Sequence, residues 1–203
     1  MTRLILVRHA LTDWNQEERC HGVTDVPLGA YGMEMAKSLV EQMDTIDFDV
    51  VYCSNLQRAV MTMQVIVNNR PVPVHIDARL RERNFGKMEG NTLSQGLELW
   101  PDEVKIWLED HTYTIEGGET YEGFCVRVEE CLKEILTDND GKTILMVAHG
   151  GSLRAILKFL GAKFGTADLD VFVTHACYSD LVIQDGQLFI QEFNACGHLA
   201  ELK

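Results

Sequence analysis

Two short apolar runs, each ending in a histidine, constrain this chain more than any other feature. Leu4-Ile5-Leu6-Val7 runs into Arg8-His9, and Thr143–Ala148 runs into His149-Gly150-Gly151. Short apolar runs without alternation suit central parallel strands, which are buried on both faces. Val50-Val51-Tyr52-Cys53 is a third such run. Helical spacing follows in Met35, Ala36, Leu39, Val40 and Met43, and again in Leu56, Val60, Met63 and Val67. Ser54 can cap the second of these helices. Further helices are expected near 97–109, 121–136 and 152–160, with 11–28 mostly a long ordered loop and 71–96 irregular. Asp185-Gly186, between 178–184 and 187–193, is a hairpin signal. Strands alternating with helices specify an α/β fold. The expected architecture is a three-layer α/β/α arrangement around a mostly parallel sheet, with one antiparallel strand or hairpin late in the chain. No repeat, linker or charge block divides residues 1–203, so a single domain is expected.

In open α/β sheets, ligands sit beyond the carboxyl ends of the strands. If the two histidine-ending strands are parallel neighbours, His9 and His149 share one crevice, and Arg8 arrives with His9. Arg58, early in the helix after the third run, can face the same end. Gly150 and Gly151 precede a helix whose free N–H groups favour an anion. Two arginines, two histidines and a helix N-terminus in a chain of net charge −13 describe a phosphate site.

The acidic balance disfavours a nucleic-acid partner. No run approaches the roughly 20 apolar residues of a membrane span. Met1–Arg8 lacks the marks of a signal peptide, and none of the six cysteines forms a CxxC pair. The expectation is a cytoplasmic protein with reduced thiols, no membrane partner and no structural zinc. There is no Walker loop, dinucleotide fingerprint or carboxylate cluster, so no cofactor and no metal are expected.

These residues also carry a resemblance. Leu4–Ala10 followed by Thr12-Asp13-Trp14-Asn15 resembles the signature of the histidine phosphatase superfamily, the phosphoglycerate mutase-like proteins. Arg19, Gly22, Asp25, Pro27 and Leu28 continue the pattern. Ser54–Ala59 is similar to its second motif, and Leu80-Arg81-Glu82 with Gly86 and Glu89-Gly90 to its third. Gly117–Thr120 with Arg127, and Val147–Gly151 with Arg154, are similar to the last two. The resemblance implies that His9 is the nucleophile and passes through phosphohistidine. It implies that Arg8, Arg58 and His149 hold the phosphoryl oxygens, completed by Asn15 and the Gly150 N–H. It also implies that Glu82 protonates the leaving alkoxide and then takes a proton from water. His21, beside Gly22, stands where relatives carry Gln or Ser, either as a substrate contact at the pocket rim or as an ordinary loop histidine. Ala10 and Leu11 stand where the family usually has Gly and Glu, and the Ala10 Cβ is expected to crowd the backbone near His9. Arg81 and Arg83 read as surface cations, and Trp100 and Trp107 as core or cap packing, with a substrate-pocket wall the alternative for one of them.

The expected function is a metal-independent phosphatase acting on a small phosphomonoester. One alternative is a cofactor-dependent phosphoglycerate mutase. Mutases resemble one another in a lysine just after the third motif and an arginine pair beyond it, whereas Gly90–Ser94 has no lysine and 97–115 has only Lys105. The other alternative is a catalytically weak, phosphate-binding or scaffold member. The late hairpin offers an edge strand for a homodimer, or lies in solvent.

Overall fold

The first strand, β1 (Thr2–Arg8), shows how the layers arise. Side chains alternate across a strand, so Leu4 and Leu6 face one side of the sheet and Ile5 and Val7 the other. Leu4 and Leu6 pack with Phe124, Val128 and Leu132 of α6 (Tyr121–Asp138) and with Leu153 and Ile156 of α7 (Gly150–Phe159). Ile5 and Val7 pack with Met35, Leu39 and Met43 of α2 (Ala30–Asp44) and with Ala59, Met63 and Ile66 of α3 (Gln57–Val67). A strand apolar on both faces therefore requires a helical layer on each. The structure, a computed structural model, describes residues 1–162, 173–200 and 202.

The sheet has six strands, adding β2 (Val50–Cys53), β3 (Val74–Ile76), β4 (Thr143–Ala148), β5 (Tyr178–Gln184) and β6 (Gln187–Ala195). Their spatial order is β3-β2-β4-β1-β5-β6. The first four are mutually parallel, while β5 runs antiparallel to β1 and to β6. This is the mostly parallel sheet with a late antiparallel hairpin that the pattern implies. Among the described residues, no helix is long and apolar enough to cross a membrane.

Several local expectations are corrected. The 11–28 loop holds a short helix, α1 (Asp13–Gln16), capped by Thr12. β3 falls in the stretch read as irregular: it is three residues long, its side chains are exposed, and Pro71 and Pro73 precede it. The helix expected near 97–109 is two helices, α4 (Leu93–Leu99) and α5 (Pro101–Glu109). Pro101 starts the second because proline lacks the N–H that would continue the first. Ser54 does not cap α3, whose N-cap is Leu56. Instead the Gln57 N–H donates to Asp25 Oδ1 at 2.6 Å, from the long loop.

The thiols are not all reduced. Cys177 and Cys196 form a disulfide with their Cα atoms 4.9 Å apart. A regular hairpin continued from the Gln184–Gln187 pair would set Asn194 opposite Cys177. Two register shifts in the β5–β6 ladder make Tyr178 face Ala195, so Cys196 meets Cys177.

Above the sheet, residues 84–120 build a small cap. Met88, Val104 and Ile115 form its core, with Phe85, Trp100, Trp107 and Tyr113 packed around them. Both tryptophans pack on this core, and Trp107 also lines a cleft.

Candidate active site

Parallel register brings the two strand-end histidines together. Arg8 pairs with Ala148, so His9 and His149 follow side by side, and the His9 N–H donates to Ala148 O at 3.0 Å. Their ring centroids lie 5.0 Å apart. His9 Nδ1 sits 2.7 Å from Ala10 O. A carbonyl only accepts, so Nδ1 carries the proton and Nε2 keeps its lone pair. Burial, then the charges of Arg58 and Arg8 and the neighbouring imidazoles, hold the His9 pKa well below the ordinary histidine value. The ring is therefore neutral and nucleophilic at neutral pH. Thr62 steadies this turn: its Oγ1 accepts the Ala10 N–H at 3.0 Å and donates to Arg58 O at 2.7 Å.

His149 is oriented by Ser54, whose Oγ lies 2.8 Å from His149 Nε2. Ser54 Oγ also accepts the Leu56 N–H at 3.3 Å, leaving its own proton to donate to Nε2. The imidazole proton is then on Nδ1. His149 too is held well below the usual histidine range, first by burial and then by Arg58 and Arg8. Arg8 donates through Nη1 to Val173 O at 2.5 Å, and a Cβ on Gly150 would stand 3.2 Å from Arg8 Cζ. The arginine therefore lies flat against the α7 N-terminus. Arg58 is fully buried and donates to Thr24 O at 2.9 Å and Gly22 O at 2.7 Å. Burial brings both guanidinium pKa values down to about 10. Among the described residues, four buried side-chain nitrogens lack a partner: Arg8 Nε, Arg58 Nε, His149 Nδ1 and His175 Nε2. Buried donors are normally satisfied, so such a group of cations and imidazoles marks an anion pocket.

Glu82 reaches this pocket from the third motif. Its Oε2 accepts the Gly151 N–H at 2.8 Å and its Oε1 the Arg83 N–H at 2.9 Å. A Cβ at Gly151 would fall 2.0 Å from Glu82 Oε1, so glycine is what lets the carboxylate sit on the α7 N-terminus. Arg127 holds the same loop from behind, donating to Glu82 O at 2.8 Å and Arg81 O at 2.9 Å while pairing with Glu119 at 2.7 Å. Arg83 is not a surface cation. It is 5% exposed and donates to the carbonyls of Glu119, His111, Thr112 and Tyr113. A guanidinium fork can be buried when carbonyls meet its donors, which charge alone does not reveal.

The remaining residues sit at the rim. Asn15 Oδ1 accepts from the Thr12 N–H at 3.0 Å, within the cap of α1. Asn15 also lines an apolar cleft of about 350 Å³ with Cys20, Met88, Leu93 and Trp107. His21 Nε2 contacts Thr12 Oγ1 at 2.5 Å, and burial followed by Arg58 brings its pKa down to about 4. Gly22 has φ of 53°, and a Cβ there would strike Glu89 Oε1 at 1.9 Å. Glu89, which the sequence marks only as part of the third motif, ties this loop to the cap: its carboxylate accepts from the backbone N–H groups of Val23, Thr24 and Phe85. Ala10 is fully buried, within the α2–α3 side of the core.

His175 was missed entirely. Its ring centroid lies 5.3 Å from that of His9, edge-on. No motif or strand end marks it in the sequence. Because β5 is antiparallel to β1, with Val7 beside Tyr178, the segment entering β5 arrives at the carboxyl end of β1. A histidine three residues ahead of the hairpin strand expected over 178–184 was the available signal.

A family model described as the histidine phosphatase superfamily (branch 1) matches residues 4–195. Phosphoserine phosphatase 1 of Hydrogenobacter thermophilus is 30% identical over 99% of this chain and 96% of its own. A 2,3-bisphosphoglycerate-dependent phosphoglycerate mutase of Cytophaga hutchinsonii is 32% identical over 79% of this chain and 78% of its own. The crystal structure of the α-ribazole phosphatase from Shigella flexneri superposes with a TM-score of 0.87 at 29% identity, covering 95% of this chain and 96% of that one.

Proposed function

Because the chain belongs to the histidine phosphatase superfamily (branch 1) and is a phosphoric monoester hydrolase, we propose that it hydrolyses a small phosphomonoester through phosphohistidine on His9. The observation that carries this is the His9 imidazole, protonated on Nδ1 by its bond to Ala10 O, with Nε2 free beside two arginines and His149. In the first step the Nε2 lone pair attacks phosphorus and the P–O bond to the leaving group breaks. Glu82 gives its proton to the departing alkoxide. Arg8, Arg58, His149 Nδ1 and the Gly150 N–H stabilise the equatorial oxygens as charge shifts. In the second step the Glu82 carboxylate takes a proton from water, the water oxygen attacks phosphorus, and the P–N bond breaks. Inorganic phosphate leaves, and His9 and Glu82 return to their starting states.

The cap supports hydrolysis over mutase transfer. Arg83 is occupied by backbone carbonyls, Lys87 by Glu103 and Glu116, and Arg19 by Glu17 and Gly90 O. Arg83 is taken up inside the fold, and Lys87 and Arg19 are ion-paired, which favours a site for one phosphate over two. The cleft beside Asn15, with apolar walls from Cys20, Met88, Leu93 and Trp107 and polar edges from Glu18, Arg19 and Asn91, has room for a small substrate with one phosphate, the class to which the substrates named for the relatives above belong.

The test is phosphate release from a panel of small phosphomonoesters by wild type and His9→Ala, with chelator present and a phosphoglycerate mutase assay alongside. The expected result is chelator-tolerant release that disappears in His9→Ala. Interconversion of phosphoglycerates without release would replace this reading with the mutase one. Silence in both assays alongside measurable phosphate binding would favour the binding-module reading.

A further inference from the structure

Three of the four unpartnered buried nitrogens belong to side chains assigned above to the phosphoryl group. The fourth, His175 Nε2, has no such assignment. We propose that His175 is a further catalytic residue whose Nε2 hydrogen-bonds a non-bridging phosphoryl oxygen during transfer to and from His9. This rests on the phosphohistidine reading of the site.

Geometry is the first support. The His175 ring centroid stands 5.3 Å from that of His9, nearly as close as His149 at 5.0 Å, so the His9 ring has two imidazole neighbours. The second support is the platform that holds it. The Thr174 N–H donates to Asn194 Oδ1 at 2.8 Å, and Asn194 Nδ2 returns a bond to Thr174 Oγ1 at 2.9 Å. The Ala176 N–H donates to Arg8 O at 3.1 Å and His9 O at 3.3 Å, and His198 Nε2 donates to Ala176 O at 2.7 Å. Cys177 is tied to Cys196. Ala176 itself holds φ of 52°, a left-handed conformation that an alanine rarely adopts. The segment carrying the ring is thus stitched to the backbone of the nucleophile, and one residue accepts strain to keep it there.

Chemistry is the third support. A ring used only for packing would fill this space better as carbon, since an unpartnered buried nitrogen is a desolvation penalty with no return. Burial, then Arg8, His21 and Arg58, bring the His175 pKa down to about 2. The ring is therefore neutral, and an N–H on Nε2 adds a donor without adding repulsion toward Arg8 and Arg58. A fixed donor in a dry site is worth most where charge develops on the transferring group.

Purified full-length wild type, His175→Phe, His175→Asn and His9→Ala decide the matter. The readouts are kcat and KM on p-nitrophenyl phosphate, the inhibition constant of orthovanadate, and Tm. Phenylalanine keeps the ring and removes the nitrogen. We expect kcat/KM to fall about 10²-fold, as on loss of one oxyanion donor, carried by kcat. Orthovanadate should weaken in parallel, Tm should hold or rise, and asparagine should recover part of both losses. Wild-type kcat and orthovanadate affinity in His175→Phe, with His9→Ala inactive, would overturn this proposal and leave the phosphohistidine reading intact. Activity surviving in His9→Ala would overturn that reading and this proposal with it. If His175→Phe lowers Tm, His175→Asn decides: recovery above the phenylalanine variant supports the contact, and equality refutes it.

Discussion

Substituting Gly151 by alanine isolates the general acid without touching it. The added Cβ would lie 2.0 Å from Glu82 Oε1 and 3.2 Å from Oε2, where ordinary contact begins at 3.4 Å. The carboxylate must therefore retreat by about 1 Å, and a displacement of that size costs about 10²-fold in rate. The loss should depend on the leaving group. An alkyl phosphate needs its alkoxide protonated, so kcat should fall about 10²-fold. Nitrophenolate leaves without a proton, so p-nitrophenyl phosphate should lose under about 5-fold. Stability should barely change. Alanine gains about 0.5–1 kcal/mol over glycine in a helix, which offsets much of a weakened hydrogen bond from the Gly151 N–H to Glu82 Oε2. Steady-state kinetics on an alkyl and a nitrophenyl ester, with Tm alongside and Glu82→Gln as the reference pattern, measure this. Equal losses on both esters, or none on either, would refute the assignment of Glu82 as proton donor.

Ser54→Ala removes the described partner of His149 Nε2 inside a fully buried contact. Denaturant titration should show a loss of about 1–3 kcal/mol, and kcat should fall about 10-fold as the imidazole loses its orientation; unchanged kcat would show that His149 is held by packing alone. Acid sensitivity follows from the four lowered histidines, with His175 down to about 2, His21 to about 4, and His9 and His149 well below the ordinary value. Above about pH 6.5 both folded and unfolded imidazoles are neutral and contribute no pH dependence. Below it the unfolded chain binds protons that the folded chain refuses, so stability declines as pH falls, approaching about 1.4 kcal/mol per pH unit for each such group. Unfolding titrations at pH 7.5, 6.5 and 5.5 should show this decline, and a flat profile would contradict burial of these rings as neutral species.

Much of the fold was legible because periodicity reports burial. Leu4–Val7, Val50–Cys53 and Thr143–Ala148 are apolar on both faces, and only a sheet covered on both sides satisfies such strands. The same runs placed Arg8, His9 and His149 at strand ends, the helix after Val50–Cys53 added Arg58, and the family resemblance added Glu82.

Other features required knowing who neighbours whom. Ser54 stands before a helix and reads as its cap, yet its hydroxyl meets His149, 95 residues away, because β2 and β4 are adjacent. Arg83 reads as exposed charge until the 111–119 carbonyls converge on it. Cys177 meets Cys196 only through two register shifts, and His175 reaches His9 only because β5 runs antiparallel to β1. Local sequence sets which face of each element must be buried, a property of a few consecutive residues. Strand order and register decide which distant side chains share a pocket, and those follow from packing all the elements at once.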